Sequence, residues 1–176
     1  MASGRKPVAI SGVSASTEAE IMTVYPSIAA TGVGRALGSL YDAVPLRIMG
    51  LKLSHLLFVL PTAPIAVLLY FMQKAPGQKY VLTNRSFQIW YALGSRKITQ
   101  VPLIDVTDVV VRQLAGQAFY KAADLVLIGG KGNDEIMTLP GVPYPAIFRQ
   151  TILEARDARQ LVTKSLETIK ARPVVA

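Results

Sequence analysis

Hydrophobic positions change rhythm along this chain. Between Ile28 and Met49, Val33, Leu37, Leu40, Tyr41 and Val44 recur at helical spacing, with Arg35 and Asp42 on the opposite side. From Leu53 to Met72 the polar positions almost disappear: LSHLLFVLPTAPIAVLLYFM runs about 20 residues without a formal charge, about the length that crosses a bilayer core. From Lys79 the period shortens to two. The runs Lys79 to Thr83, Ser86 to Leu93, Ile98 to Leu103, Val106 to Gln113, Asp124 to Ile128 and Glu135 to Leu139 are rich in Val, Ile, Tyr and Thr and are separated by turn residues, which predicts strands. In one of them Phe87, Ile89 and Tyr91 alternate with Gln88 and Trp90, the mark of a strand with unlike faces. The chain closes on a helical rhythm from Pro145, a suitable first helical residue, to about Lys170. Ile147, Phe148, Thr151, Ile152, Ala155, Ala158, Val162, Leu166 and Ile169 form its apolar face.

The first helical stretch suits a segment lying at a membrane interface. Gly32, Gly34 and Gly38 each lower its helix propensity by roughly 1 kcal/mol, so contact with lipid or protein is needed to order it. Gly34 and Gly38 also make a small-xxx-small pair that would let two helices approach. The surrounding string TGVGRALG has the glycines of a phosphate loop but not the preceding strand or the Gly-Lys-Ser/Thr ending, which argues against nucleotide binding.

Pro61 and Pro64 interrupt the apolar run near its middle, where each removes a backbone donor. Two conformations remain open. A continuous kinked helix of this length rises about 30 Å and crosses, the favoured form, while a hairpin turning at Pro61 to Pro64 has arms of roughly eight residues and reaches about 12 Å deep. Basic residues flank both sides, Arg35, Arg47 and Lys52 before and Lys74, Lys79 and Arg85 after, so loop charge sets no orientation. His55 sits near the start of the run, where a neutral imidazole is cheap.

Composition narrows the rest. Of 176 residues, roughly 100 remain outside the membrane segment and the polar N-terminus, enough for one domain. The formal charge of +8 is spread over the chain, +4 before residue 80 and +4 after, and no basic run interleaves with aromatics. That excess points to anionic headgroups before nucleic acid. The absence of cysteine excludes disulfides, thiolate catalysis and Cys-ligated metals. The first residues, MASGRKPVAISGVSASTEAE, are small and polar and predict a mobile extension. The linker Gly129 to Asp134 is a hairpin turn.

Specific residues add a likeness. Gly77-Gln78-Lys79-Tyr80-Val81-Leu82-Thr83-Asn84-Arg85 resembles the opening hairpin of the bacterial pleckstrin-homology (PH) domain family, with Arg directly after Asn as a small departure. The stretch ITQVPLIDVTDVVV, from Ile98 to Val111, is similar to a second family pattern, and Leu139-Pro140-Gly141-Val142, followed by Pro145 and Phe148, to its close. The resemblance spans about Lys79 to Arg172 and implies a strongly bent antiparallel β-sandwich or barrel plugged by the C-terminal helix, with binding or assembly rather than catalysis as the activity.

The expected organisation is α+β and mainly β: a mobile extension over 1–26, an amphipathic interfacial segment over 27–52, a membrane segment over 53–74 and a PH-like domain over 79–172. Convergent reactive groups are missing, since Asp105 and Asp108 form the closest carboxylate pair and their place in a turn predicts bonds to backbone amides. No catalytic residue, metal or cofactor is expected. Arg149, Arg156, Arg159 and Lys170 lie along one flank of the last helix, with Glu154 and Asp157 along the other. They are the candidate contacts for headgroups or a partner. The expected function is a non-enzymatic module anchored at a bacterial membrane, its domain cytoplasmic, that binds anionic lipids, other membrane proteins or itself. The alternative is a structural subunit of a larger membrane complex with no lipid-binding role.

Overall fold

The structure is a computed structural model that describes residues 18–43, 47–48, 51–52, 55–130 and 132–170. The rest of the N-terminal extension, Val44, Leu53, Ser54, Lys131 and Arg172 lie outside the described residues, as do the side chains of His55, Ile169 and Lys170.

Among the described residues, nine strands and three α-helices follow in the order β1 (Glu20–Val24), α1 (Gly32–Asp42), β2 (Arg47–Ile48), β3 (Leu51–Lys52), α2 (Leu60–Lys74), β4 (Gln78–Thr83), β5 (Ser86–Tyr91), β6 (Lys97–Pro102), β7 (Val106–Arg112), β8 (Ala122–Gly129), β9 (Asp134–Pro143) and α3 (Pro145–Lys170). One antiparallel sheet has the order β1-β4-β5-β6 and a second the order β7-β8-β9, while β2 and β3 form a small hairpin. The fold is therefore α+β and mainly sheet.

The alternation read along β5 decides what the first sheet buries. Tyr80, Leu82, Phe87, Ile89 and Val101 face Val106, Val109, Leu125, Leu127, Leu139 and Val142 of the second sheet in one core. Helix α3 closes it with Phe148, Ile152 and Ala155, and the Phe87 and Phe148 rings lie 6.0 Å apart. The docked face is shorter than its periodicity predicts. Ile147, in the first turn beside buried Phe148, is 61% exposed, while Ala158 is exposed and Leu166 is 36% exposed because the helix runs on past the sheets it covers.

Two parts of the N-terminal organisation are corrected. Residues Glu20–Val24, placed by sequence within a mobile extension, form an edge strand that pairs with β4, Thr23 against Val81 and Val24 against Tyr80. The sandwich thus begins before the apolar run. Helix α1, read as an interfacial segment, turns its apolar face onto protein: Leu37 and Tyr41 are buried, and the Tyr41 ring lies 4.8 Å from that of Phe119. Gly38 does permit a close approach, but to the loop after β7 and not to another helix. A Cβ at Gly38 would sit 2.1 Å from the Gly116 carbonyl oxygen, and Gly116 itself holds φ +80.

From His55 onward the apolar run is continuous helix. A π-helical turn, His55–Val59, leads directly into α2, with Pro61 near the helix start and Pro64 inside it. A turn at Pro61 to Pro64 is thereby ruled out. Within the helix the Thr62 hydroxyl donates to the Phe58 carbonyl one turn earlier and also bonds the Tyr41 hydroxyl, which ties the helix to α1. Residues Leu57–Lys74 make one helix long and apolar enough to cross a membrane, and none of that span is buried.

Candidate functional site

The basic flank of α3 is the first place to look. Arg149 and Arg156, two turns apart, reach back onto β7, the edge strand of the second sheet. The Arg149 Nε donates to the Val109 carbonyl, and its guanidinium lies 3.2 Å from the Asp108 carboxylate. Arg156 donates to the Thr107 carbonyl and, at 2.8 Å, to Asp157. Asp108, which lies within β7 and not in the turn expected from the sequence, accepts from the Val109 amide at 2.7 Å. Residues 107 and 109 lie two apart and present outward polar groups on the same edge. The arginines therefore seal a strand edge. Arg159 has no ion pair among the described residues, and Lys170's side chain lies outside them.

A second polar centre lies on the outer face of the first sheet. The Glu18 carboxylate accepts from Thr83 Oγ1 at 2.7 Å, Ser86 Oγ at 2.6 Å and Gln88 Nε2 at 2.8 Å. The Trp90 indole donates to Gln88 Oε1 at 2.8 Å, which turns the Gln88 amide so that its nitrogen faces Glu18. These bonds, that from Ser86 foremost, hold the Glu18 carboxyl below the usual range, against the opposing effect of burial; Lys97 adds a smaller pull in the same direction. The cleft here, of about 370 Å³, also carries Glu20 and Lys79. It fastens the start of β1 to the hairpin below. Asp124 is similarly occupied, accepting from buried Gln117 and from the Gly141 amide at 2.8 Å. Neither carboxylate has the freedom of a general base, and among the described residues no three His, Cys, Asp or Glu side chains gather to hold a metal.

The third place was not visible in the sequence. Where α2 ends against the sandwich, Tyr25, Ser27, Tyr70, Gln73, Lys74 and Tyr120 surround a cleft of about 410 Å³. Chain segments 25–28, 70–74 and 120 assemble it, so no local motif announces it. The Lys74 ammonium lies 4.9 Å from the centre of the Tyr70 ring. The Tyr120 hydroxyl and Gln73 Oε1 are buried with no hydrogen-bond partner among the described residues, unlike the groups at the other two centres. Such atoms each cost about 1–3 kcal/mol, which a stable protein tolerates for a reason. Burial, with a smaller contribution from Tyr41, pushes the Tyr120 phenol up to about 12, so it remains a neutral donor. The cleft combines a cation, a phenol donor and an amide acceptor, and no carboxylate lines it.

Comparison of the chain with protein-family models, curated proteins and solved structures finds no match.

Proposed function

We propose that this chain is a non-enzymatic, PH-like binding module fixed to one face of a bacterial membrane, its apolar helix entering and leaving on the same side. The PH-like part is supported by the arrangement of a four-stranded antiparallel sheet, a three-stranded meander and a closing helix whose Phe148 and Ile152 plug the core. The resemblance in Gly77 to Arg85 and Ile98 to Val111 falls on β4, β6 and β7.

Membrane attachment rests on the exposed apolar helix, with Leu60 at 80%, Leu68 at 59% and Phe71 at 62% exposure. Covering such surface is worth about 1.5–3 kcal/mol for each large side chain. The observation that carries the one-sided topology is the pairing of β1 with β4. Strand β1 precedes the apolar helix and β4 follows it, yet they are neighbours in one sheet, and α1 also packs on the sandwich. A single complete crossing would leave the two flanks on opposite faces of the membrane. A return through residues 43–55 would carry Pro45, Arg47 and Lys52 through hydrocarbon, and the described part of that stretch, β2 and β3, is a two-stranded hairpin whose outer backbone groups lipid cannot satisfy. The favoured crossing is replaced by a helix held within one leaflet.

The absence of cysteine makes the test direct. In sealed vesicles with the sandwich outside, Ser95→Cys reacts with an impermeant maleimide, and Gly50→Cys, between β2 and β3, does not react with reagent trapped in the lumen. Lumenal labelling of Gly50→Cys would overturn the one-sided topology. Recovery of the full chain in a carbonate supernatant would overturn membrane attachment itself.

A second function, assembly into a larger membrane complex, is favoured by the distal half of α3. It extends beyond the sandwich with Leu161 66% exposed. A photocrosslinker at Leu161 in native membranes should then capture a distinct protein, whereas the lipid-binding module alone should give none.

A further inference from the structure

The three polar centres differ in what they leave unpaired. The arginines on β7 and the carboxylate at Glu18 have partners inside the chain, whereas the cleft under α2 holds a buried hydroxyl and a buried amide oxygen with none among the described residues. From this cleft we infer a binding site for the headgroup of an anionic glycerophospholipid, a phosphodiester carrying hydroxyl donors. The inference rests on the membrane attachment proposed above and adds to it a site and a ligand class.

Position favours a lipid over other anions. Gln73 and Lys74 form the last turn of the apolar helix, and the exposed side chains of Leu68, Phe71 and Met72 stand immediately before them. If those side chains lie in hydrocarbon, the cleft lies at headgroup level, and an acyl chain continues along the surface of α2. Tyr25 and Tyr70, 44% and 46% exposed, occupy the depth at which amphipathic rings concentrate.

The donors and acceptors narrow the headgroup. Lys74 and the Tyr120 hydroxyl supply positive charge and a donor for a phosphate oxygen. Gln73 Oε1 requires a donor from the ligand, which a bare phosphate monoester in its dianionic form lacks and a glycerol hydroxyl provides. The cleft volume lies within the range of small-ligand sites. The outer-sheet cleft is a poorer host for the same group, because Glu18 and Glu20 line it.

The test uses the full chain in nanodiscs that contain phosphatidylglycerol and phosphatidylcholine, with retained lipid read by native mass spectrometry. Wild type should retain phosphatidylglycerol selectively. Lys74→Ala, at an exposed position, and Tyr120→Phe, which keeps the ring packed on Phe119, should each lower that retention, and the double variant should lower it at least about tenfold with little change in melting temperature. Unchanged retention in the double variant, with the chain still in the nanodisc, overturns the site but not the attachment. Failure to enter nanodiscs overturns both. A parallel titration of detergent-solubilised chain with glycerol 3-phosphate separates the ligand sources: binding as tight as that of the lipid, lost in Tyr120→Phe, would overturn the lipid assignment in favour of a free phosphate ester.

Discussion

The β7 edge and the cleft under α2 are both surfaces rich in polar groups, and they treat those groups in opposite ways. Along β7, outward carbonyls at Thr107 and Val109 receive Arg156 and Arg149, and the Val109 amide receives Asp108. Beneath α2, the Tyr120 hydroxyl and Gln73 Oε1 receive nothing from the described residues. A cluster of cations is therefore a poor guide to a ligand site unless its donors are free. The four-residue basic flank looked like the interface, and at least two of its members maintain the fold. A single lysine beside two unpartnered atoms is the better candidate.

The largest expected effect comes from opening an edge completely. A chain beginning at Gly77 removes β1 and leaves the outer edge of β4 unpaired and without guarding side chains, in contrast to β7. It also loses Val24, 7% exposed, from the core and Glu18 from its three donors. Thermal or urea denaturation should show a loss of at least about 3 kcal/mol relative to a chain beginning at Ser16, or a failure to unfold cooperatively. Equal stability of the two chains would mean that the sandwich is complete without β1, and the one-sided membrane topology would lose its main support.

A smaller effect is expected at the sealed edge. Arg149→Ala with Arg156→Ala removes the donors to Val109 and Thr107 while leaving the cleft under α2 intact. Because Arg149 is about 40% exposed along its side chain, water replaces part of what is lost. The pair should cost about 1–2 kcal/mol of stability and leave lipid retention in the nanodisc unchanged. Loss of retention without loss of stability would reverse the comparison, returning the flank to the role its charge pattern suggested.

These contrasts show what the sequence could and could not carry. Strands β4 to β9 were legible because each is a short run rich in Val, Ile, Tyr and Thr bounded by turn residues, with clear alternation in β5, and α3 because nine positions share one face. Strand β1 was not, since EIMTV has only Val24 buried and its partner lies 56 residues away, between Val24 and Tyr80. No local pattern can show that an apolar helix is inserted between two neighbouring strands. The arginine flank was legible as a flank, but the carbonyls that face it belong to a strand some 40 residues earlier. The cleft was illegible for the same reason: Tyr25, Gln73 and Tyr120 meet only in the fold.

The smallest effect tests the latch that holds β1 in place. Glu18 is exposed, yet three donors converge on one of its oxygens and hold its folded-state pKa below the ordinary carboxylate value. For a carboxyl with a depressed pKa, the native state binds fewer protons than the unfolded chain through that window. Its contribution is therefore fully present above the unfolded pKa and is lost as pH falls through the folded one. Lys97 also favours the ionised form, so the contribution is lost as pH falls below the ordinary carboxylate range. Amide exchange of β1 and β4, measured at pH 6 and again below pH 4, should accelerate in wild type relative to core strand β8 after correction for intrinsic rates. Glu18→Gln, which cannot ionise, should abolish the pH-dependent part and leave β1 exchanging at one corrected rate. A wild-type β1 whose corrected protection does not change across that interval would show that the strand is held by its ladder to β4 alone, with no contribution from the carboxylate on the outer face of the sheet.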